Sequence, residues 1–124
     1  MSQVKKFELT YSYDINVDSI HINITDEYEY KESLELEEGI ILDFSTDGIP
    51  VALEILDISE LFSVEKECFK HIEDIDISIT ITNSSITLNL LMVVLRNHEI
   101  INQPFNTIAK NIINVPEMNI ICTS

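Results

Sequence analysis

Gly39–Leu56 reads GIILDFSTDGIPVALEIL, and how this stretch pairs with itself decides the fold. Apolar residues alternate with polar or small ones on both sides of STDG. Asp47-Gly48 inside a short polar loop marks a hairpin, because glycine adopts the positive φ that tight turns require. Pairing Phe44 with Ile49 places Ile40, Leu42 and Phe44 on one face with Ile49, Val51, Leu53 and Ile55. That face is wholly apolar and is expected in a core. The opposite face carries Ile41, Asp43, Ala52, Glu54 and Leu56, a mixed surface. A bulge at Gly48 would shift the pairing by one and change which acids are neighbours.

The same period of two extends in both directions. FELTYSY from Phe7 and SIHINIT, with Ile20, Ile22 and Ile24 on one face, read as strands joined around DINVDS. YEYKESLEL, Tyr28 to Leu36, interleaves charges, the mark of a strand with one wet face and hence of an antiparallel sheet. ISELFSVEKECFKHI, Ile58 to Ile72, breaks the alternation. Leu61, Phe62, Cys68, Phe69 and Ile72 fall near helical spacing, with Ser59 and Ser63 as N-cap candidates, so a short helical crossover is expected over 58–71. DIDISITIT then puts Ile75, Ile77, Ile79 and Ile81 on one face. ITLNLLMVVL follows, apolar on both faces from Leu90, and RNHE is a further turn. Residues 105–114 fit either a helical template or a strand and loop. The pattern leans to a strand near 100–107 and a last strand around 118–123, with Pro116 ending what precedes it.

The fold expected is mainly β: antiparallel sheets, sandwich-like, of about seven strands. A chain of 124 residues suggests one domain, 1–124, with a β module at 7–62 and a second β-rich half at 72–124 packed with it. The charge is lopsided, 22 acids against 7 Lys and Arg, for a net charge of -15. Such a surface repels nucleic acid and anionic lipid and attracts cations or a basic protein. Cys68 and Cys122 lie in no metal or redox spacing and are expected reduced, in the cytoplasm. The amino-terminal stretch has no apolar segment of the leader type. LLMVVL is too short to span a membrane.

YDINVDSIHI and GIILDFSTDGIPVALEILDIS together resemble the family catalogued as domain of unknown function 2283. Tyr13, Asp14, Asp18, Ile22, Gly39, Leu42, Asp43, Gly48, Glu54, Ile55, Leu56, Asp57 and Ser59 match its pattern. His21 replaces the family's usual Tyr, Pro50 enters the returning strand and Ile58 replaces Ala. The resemblance spans roughly residues 7–62. Longer members with a second β-rich half resemble proteins of archaeal methanogens. It implies a small β-rich fold and no activity. Some short members resemble antitoxins encoded beside small toxins.

The candidate chemistry is sparse. Asp14, Asp18, Asp43, Asp47, Glu54 and Asp57 offer hard oxygen ligands, but DFSTDG lacks the closing Glu of a calcium loop. Asp43 and Glu54, expected on one sheet face, are the candidates for a cation or for acid–base work. The structural roles competing with this are turn capping by Asp14, Asp18 and Asp47 and a helix start at Asp57. His21, His71 and His98 stand apart. There is no nucleophile signature, and Gly39 and Gly48 are too few for a glycine-rich phosphate cradle. The expected function is therefore non-catalytic protein binding or scaffolding, with no cofactor. Self-association as a homo-oligomer, a dimer first, is expected on Leu90, Met92 and Val94, together with a basic protein partner. The alternatives are a divalent-cation-binding protein and an antitoxin-like partner of a basic toxin.

Overall fold

The computed structural model describes residues 4–124. Residues 1–3, the start of the stretch read for a leader, lie outside the described residues. The strands in chain order are β1 (Val4–Asp14), β2 (Ser19–Ile24), β3 (Tyr30–Glu37), β4 (Ile40–Ser45), β5 (Pro50–Ile55), β6 (Ile72–Ile81), β7 (Ser85–Arg96), β8 (Glu99–Lys110) and β9 (Met118–Thr123). One five-residue helix, α1 (Ile58–Phe62), and a 3-10 turn over Lys66–Lys70 connect β5 to β6. No helix among the described residues is long and apolar enough to cross a membrane.

The nine strands form one sheet in the order β3-β4-β5-β2-β1-β9-β6-β7-β8. The sheet curls into a half-barrel, and its edge strands β3 and β8 come into contact. Strand β1 is the join. Its second half, Leu9–Asp14, pairs antiparallel with β2, and its first half, Val4–Glu8, pairs parallel with β9. Each half thereby presents an apolar face to the other, and the buried residues of both belong to one hydrophobic cluster.

The hairpin behaves as its sequence predicts. Ile40, Leu42, Phe44, Val51, Leu53 and Ile55 are buried. The bulge falls between Asp43 and Phe44, so that Phe44 faces Pro50 while Leu42 faces Leu53. The shift from the Phe44–Ile49 pairing is one position at Phe44 and two from Asp43 onward, which sets Leu53 and Ile55 on the face of Leu42 and Ile40 as expected. The crossover contributes Ile58, Phe62, Val64 and Phe69 to the core, the Phe69 ring lying 5.7 Å from Tyr13 and 6.3 Å from Phe62.

The mainly β class and the helical crossover hold; three details differ. There are nine strands rather than about seven: every alternating stretch forms one, including those expected near 100–107 and 118–123. They form one sheet rather than two packed sheets: period two says that a strand has one buried face, not whether the sheet opposite is separate or the same one curling back. The sheet is mixed, since β9 enters between β1 and β6, antiparallel to β6 and so parallel to β1. Residues 105–110 continue β8, and a loop follows. Asn111 ties that loop down, its side-chain amide donating to the Thr82 and Val115 carbonyls at 2.9 and 3.0 Å.

The two glycines close turns under different constraints. Gly39 (φ +81°) has room for a Cβ, its nearest neighbour being Leu56 Cβ at 3.6 Å. Gly48 (φ +76°) would bring a Cβ to 2.9 Å from Pro116 Cδ, a rigid ring. We therefore expect Gly39→Ala to cost about 1 kcal/mol from backbone strain alone, and Gly48→Ala roughly twice that or more. Urea unfolding of the two variants measures the difference, and equal losses would show that the Pro116 contact contributes nothing.

Candidate functional site

The most elaborate polar arrangement is a clip between the β1–β2 turn and α1. Asp18 is 5% exposed and adopts a left-handed backbone, which Asp tolerates better than most residues. Its carboxylate accepts the Tyr13 hydroxyl at 2.7 Å, the Ser59 hydroxyl at 2.6 Å and the Ser59 N–H at 3.3 Å. Its carbonyl accepts the Ile58 N–H at 3.1 Å. The first N–H groups of a helix have no partner inside it. Here Asp18, far away in sequence, supplies partners for two of them. Asp57 occupies the N-cap position but makes no capping bond with its side chain.

Ser59 and Ser63 are thus not N-caps. Ser59 lies inside the first turn, and Ser63 ends the helix in a left-handed conformation. There the Ser63 N–H donates to the Glu60 carbonyl and the Val64 N–H to the Ser59 carbonyl, the pair of bonds that closes a Schellman motif. Burial and the adjacent Asp18 carboxylate hold the Tyr13 phenol proton well above the ordinary tyrosine range, so it stays a donor.

Asp43 and Glu54 lie on the outer face, as expected, but as diagonal neighbours: Asp43 faces Ala52, and Glu54 faces Ile41 on one side and His21 on the other. Asp43 accepts the Ser33 hydroxyl at 2.6 Å, and the Tyr30 hydroxyl lies 2.7 Å from Ser33. Ser33 has one proton and gives it to Asp43, so Tyr30 donates to Ser33. Among the described residues no group of three His, Cys, Asp or Glu side chains is placed to hold a metal ion. His71 and His98 are exposed and separate. Both thiols are free. Burial pushes the Cys122 thiol up to about 11, and burial with the nearby Glu65 carboxylate raises that of Cys68, so neither is a thiolate nucleophile at neutral pH.

Leu90, Met92 and Val94, the expected subunit contacts, are buried within the single chain. The surface left on β7 is its other face, with Leu91, Val93 and Leu95. That face belongs to an open hollow of about 460 Å³ across β9, β6, β7 and β8, lined by Ser78, Asn89, Leu91, Pro104, Asn106 and Ile121 among others. At its margin lie Asp74 and Asp76; burial first, then the Asp74 charge, raises the Asp76 carboxyl. A second hollow, about 340 Å³, lies on the other half of the sheet and is lined by Glu27, Tyr28, Glu29, Thr46 and Asp47.

The alternation of LLMVVL announced a strand apolar on both faces, which was the available signal for the outer hollow. The partnership of Asp18 with Ser59 had none beyond the co-occurrence of both residues in the family pattern.

These features define a small curled-sheet module whose polar groups serve mainly to join its parts. Residues 10–59 match the family described as "Protein of unknown function (DUF2283)". Over 106 residues the chain is 32% identical to a protein of Methanosarcina mazei named "Putative hypoxanthine phosphoribosyltransferase", the match covering 86% of this chain and 85% of that protein. The chain belongs to the DUF2283 family. No solved structure matches it.

Two predictions follow the geometry. Tyr13→Phe removes one donor from a buried carboxylate and should lower stability by about 1–2 kcal/mol in urea unfolding; an unchanged midpoint would mean that the Asp18 carboxylate does not depend on the phenol. Asp76 is held above its ordinary value when folded, so folding favours its protonated form. That contribution is full below the ordinary carboxylate range and is lost as the pH rises above it. Asp76→Asn should therefore raise the unfolding midpoint at pH 7 and bring a smaller gain near pH 3, where Asp76 is already neutral. Equal gains at both pH values would remove the charge from the explanation.

Proposed function

We propose that the protein is a non-catalytic binding module that takes a basic protein partner, its acidic hollow receiving a Lys or Arg side chain. The observation that carries this reading is the clustering of charge. Between Asp26 and Glu38 Lys31 is the lone base, and it pairs with Glu32 at 3.7 Å. Glu27, Glu29 and Asp47 converge on one hollow beside the exposed Tyr28 ring. Carboxylates around an aromatic face suit a guanidinium or ammonium group. A basic toxin is one partner of that chemistry.

The name of the Methanosarcina mazei relative denotes a phosphoribosyltransferase. Phosphate binding relies on free backbone N–H groups, typically at a helix N-terminus or in a glycine-rich loop. In this chain the start of α1 is occupied by Asp18, and Gly39 and Gly48 are engaged in hairpin turns. No buried side-chain nitrogen or oxygen among the described residues lacks a partner. These features support binding over catalysis. The cation reading has less support, since Ser33 already engages the Asp43 carboxylate.

Titration with an oligo-arginine peptide at rising salt tests the proposal. The triple variant Glu27→Gln, Glu29→Gln, Asp47→Asn should weaken binding about tenfold more than the control Glu60→Gln, Glu73→Gln, Glu117→Gln, which removes the same charge elsewhere. Equal weakening would reduce the attraction to net charge and overturn the site.

A further inference from the structure

The outer face of β9, β6, β7 and β8 has a composition unlike the rest of the surface. Register sets its rows: Ile121, Ser78, Asn89 and Asn106 lie across one, and Thr123, Asp76, Leu91 and Pro104 across the next. In a chain of net charge -15, the acids of these four strands on this face are gathered at the first end of β6, Asp74 and Asp76 with the exposed Glu73 at the bulge beside them. Lys6 and Glu8 flank it on β1, and Lys110 ends β8. Leu91 is 37% exposed, Ile121 41%, and Ile108 and Ile100, near opposite ends of β8, 65% and 69%.

We infer that this face is a homodimer interface, its occupant a second copy of the chain. Three observations select that occupant. The first is charge: two copies of this chain repel across most orientations, and this is the face on which they meet with the fewest opposed carboxylates. The second is shape. An isologous contact requires one patch to carry both partners of each contact. The face holds an open hollow floored by Leu91, Pro104 and Ile121, and protruding isoleucines on β8 able to fill the hollow of the opposing copy. The third is extent. β7 and β8 have twelve residues each, and four strands at about 4.8 Å spacing and ~3.4 Å rise cover on the order of 700 Å², close to the ~800 Å² that each partner brings to a standard interface.

The sheet edges offer no competing route. β8 carries Pro104 in mid-strand, and β3 carries Lys31, Glu32, Glu35 and Glu37, both of which discourage edge-to-edge pairing. The inference goes beyond the proposed function and does not depend on it, since the acidic hollow lies on the other half of the sheet.

Sedimentation velocity at micromolar concentration and physiological salt tests it. The wild-type chain should sediment as a dimer. Leu91→Arg and Ile121→Arg, on exposed positions, should each raise the dimer dissociation constant at least tenfold with an unchanged far-ultraviolet circular dichroism spectrum. Leu61→Arg, an equally exposed leucine on α1, adds the same charge away from the face and should leave the dimer intact. A monomeric wild type overturns the inference and leaves the face to a different protein. A dimer that survives both face variants, or that Leu61→Arg dissociates, overturns it as well.

Discussion

The structure depends on one strand serving two partners. β1 runs for eleven residues and changes neighbour between Glu8 and Leu9, from β9 to β2. Without that handover the chain would be two small sheets, each with an apolar face and a raw edge. With it, the isoleucines of β2 and those of β6 bury against a common core. Burial of apolar surface contributes about 25 cal/mol per Å², so each fully covered isoleucine adds on the order of 2 kcal/mol. The join at β1 is what makes that burial available to both halves at once.

A joined sheet still has to be closed at the connection, and the Asp18 clip does this. The chain leaves β5 and must turn into a helix too short to stabilise itself; five residues are well below the length at which a helix persists alone. Asp18 gives that helix its first hydrogen bonds, and Ile58, Phe62 and Phe69 anchor it in the core. Tyr13 takes part in both, its hydroxyl on Asp18 and its ring against Phe69. Tyr13, Asp18 and Ser59, all three part of the family pattern, make an architectural contact here, with three donors on one buried carboxylate.

Much of this was legible from the sequence. Period-two alternation placed Ile20, Ile22, Ile24, Ile75, Ile77, Ile79 and Ile81 on buried faces, and Asp47-Gly48 located the central turn. The break at Ile58 located the crossover. What alternation cannot carry is pairing: it is blind to strand direction and to which strands are neighbours, so β9 between β1 and β6 and the single curled sheet were out of reach. The same blindness put the candidate contact residues on the buried face. LLMVVL is apolar on both faces, and the sequence does not say which face another element covers; the curl of the sheet selects Leu90, Met92 and Val94 for the core and leaves Leu91, Val93 and Leu95 outside. For the acids the difficulty was different. Asp43 and Glu54 are one row out of line, nearer than the Phe44–Ile49 pairing would set them, because the observed register puts Asp43 opposite Ala52 rather than Pro50.

The distribution of charge then acquires a physical meaning. Surface charges are screened beyond about 8 Å at physiological salt, so contact is decided largely by local composition. The first half of the sheet concentrates carboxylates on β3 and the loop before it, where they protect an edge strand and face solvent. The second half confines them to one end of β6 and fills the rest of its outer face with Asn, Thr, Ser and scattered aliphatics. A sheet that needed only solubility has no cause to divide its surface in this way. One half gathers carboxylates and the other carries few, and β1, which holds the two halves together, lies at the boundary between them.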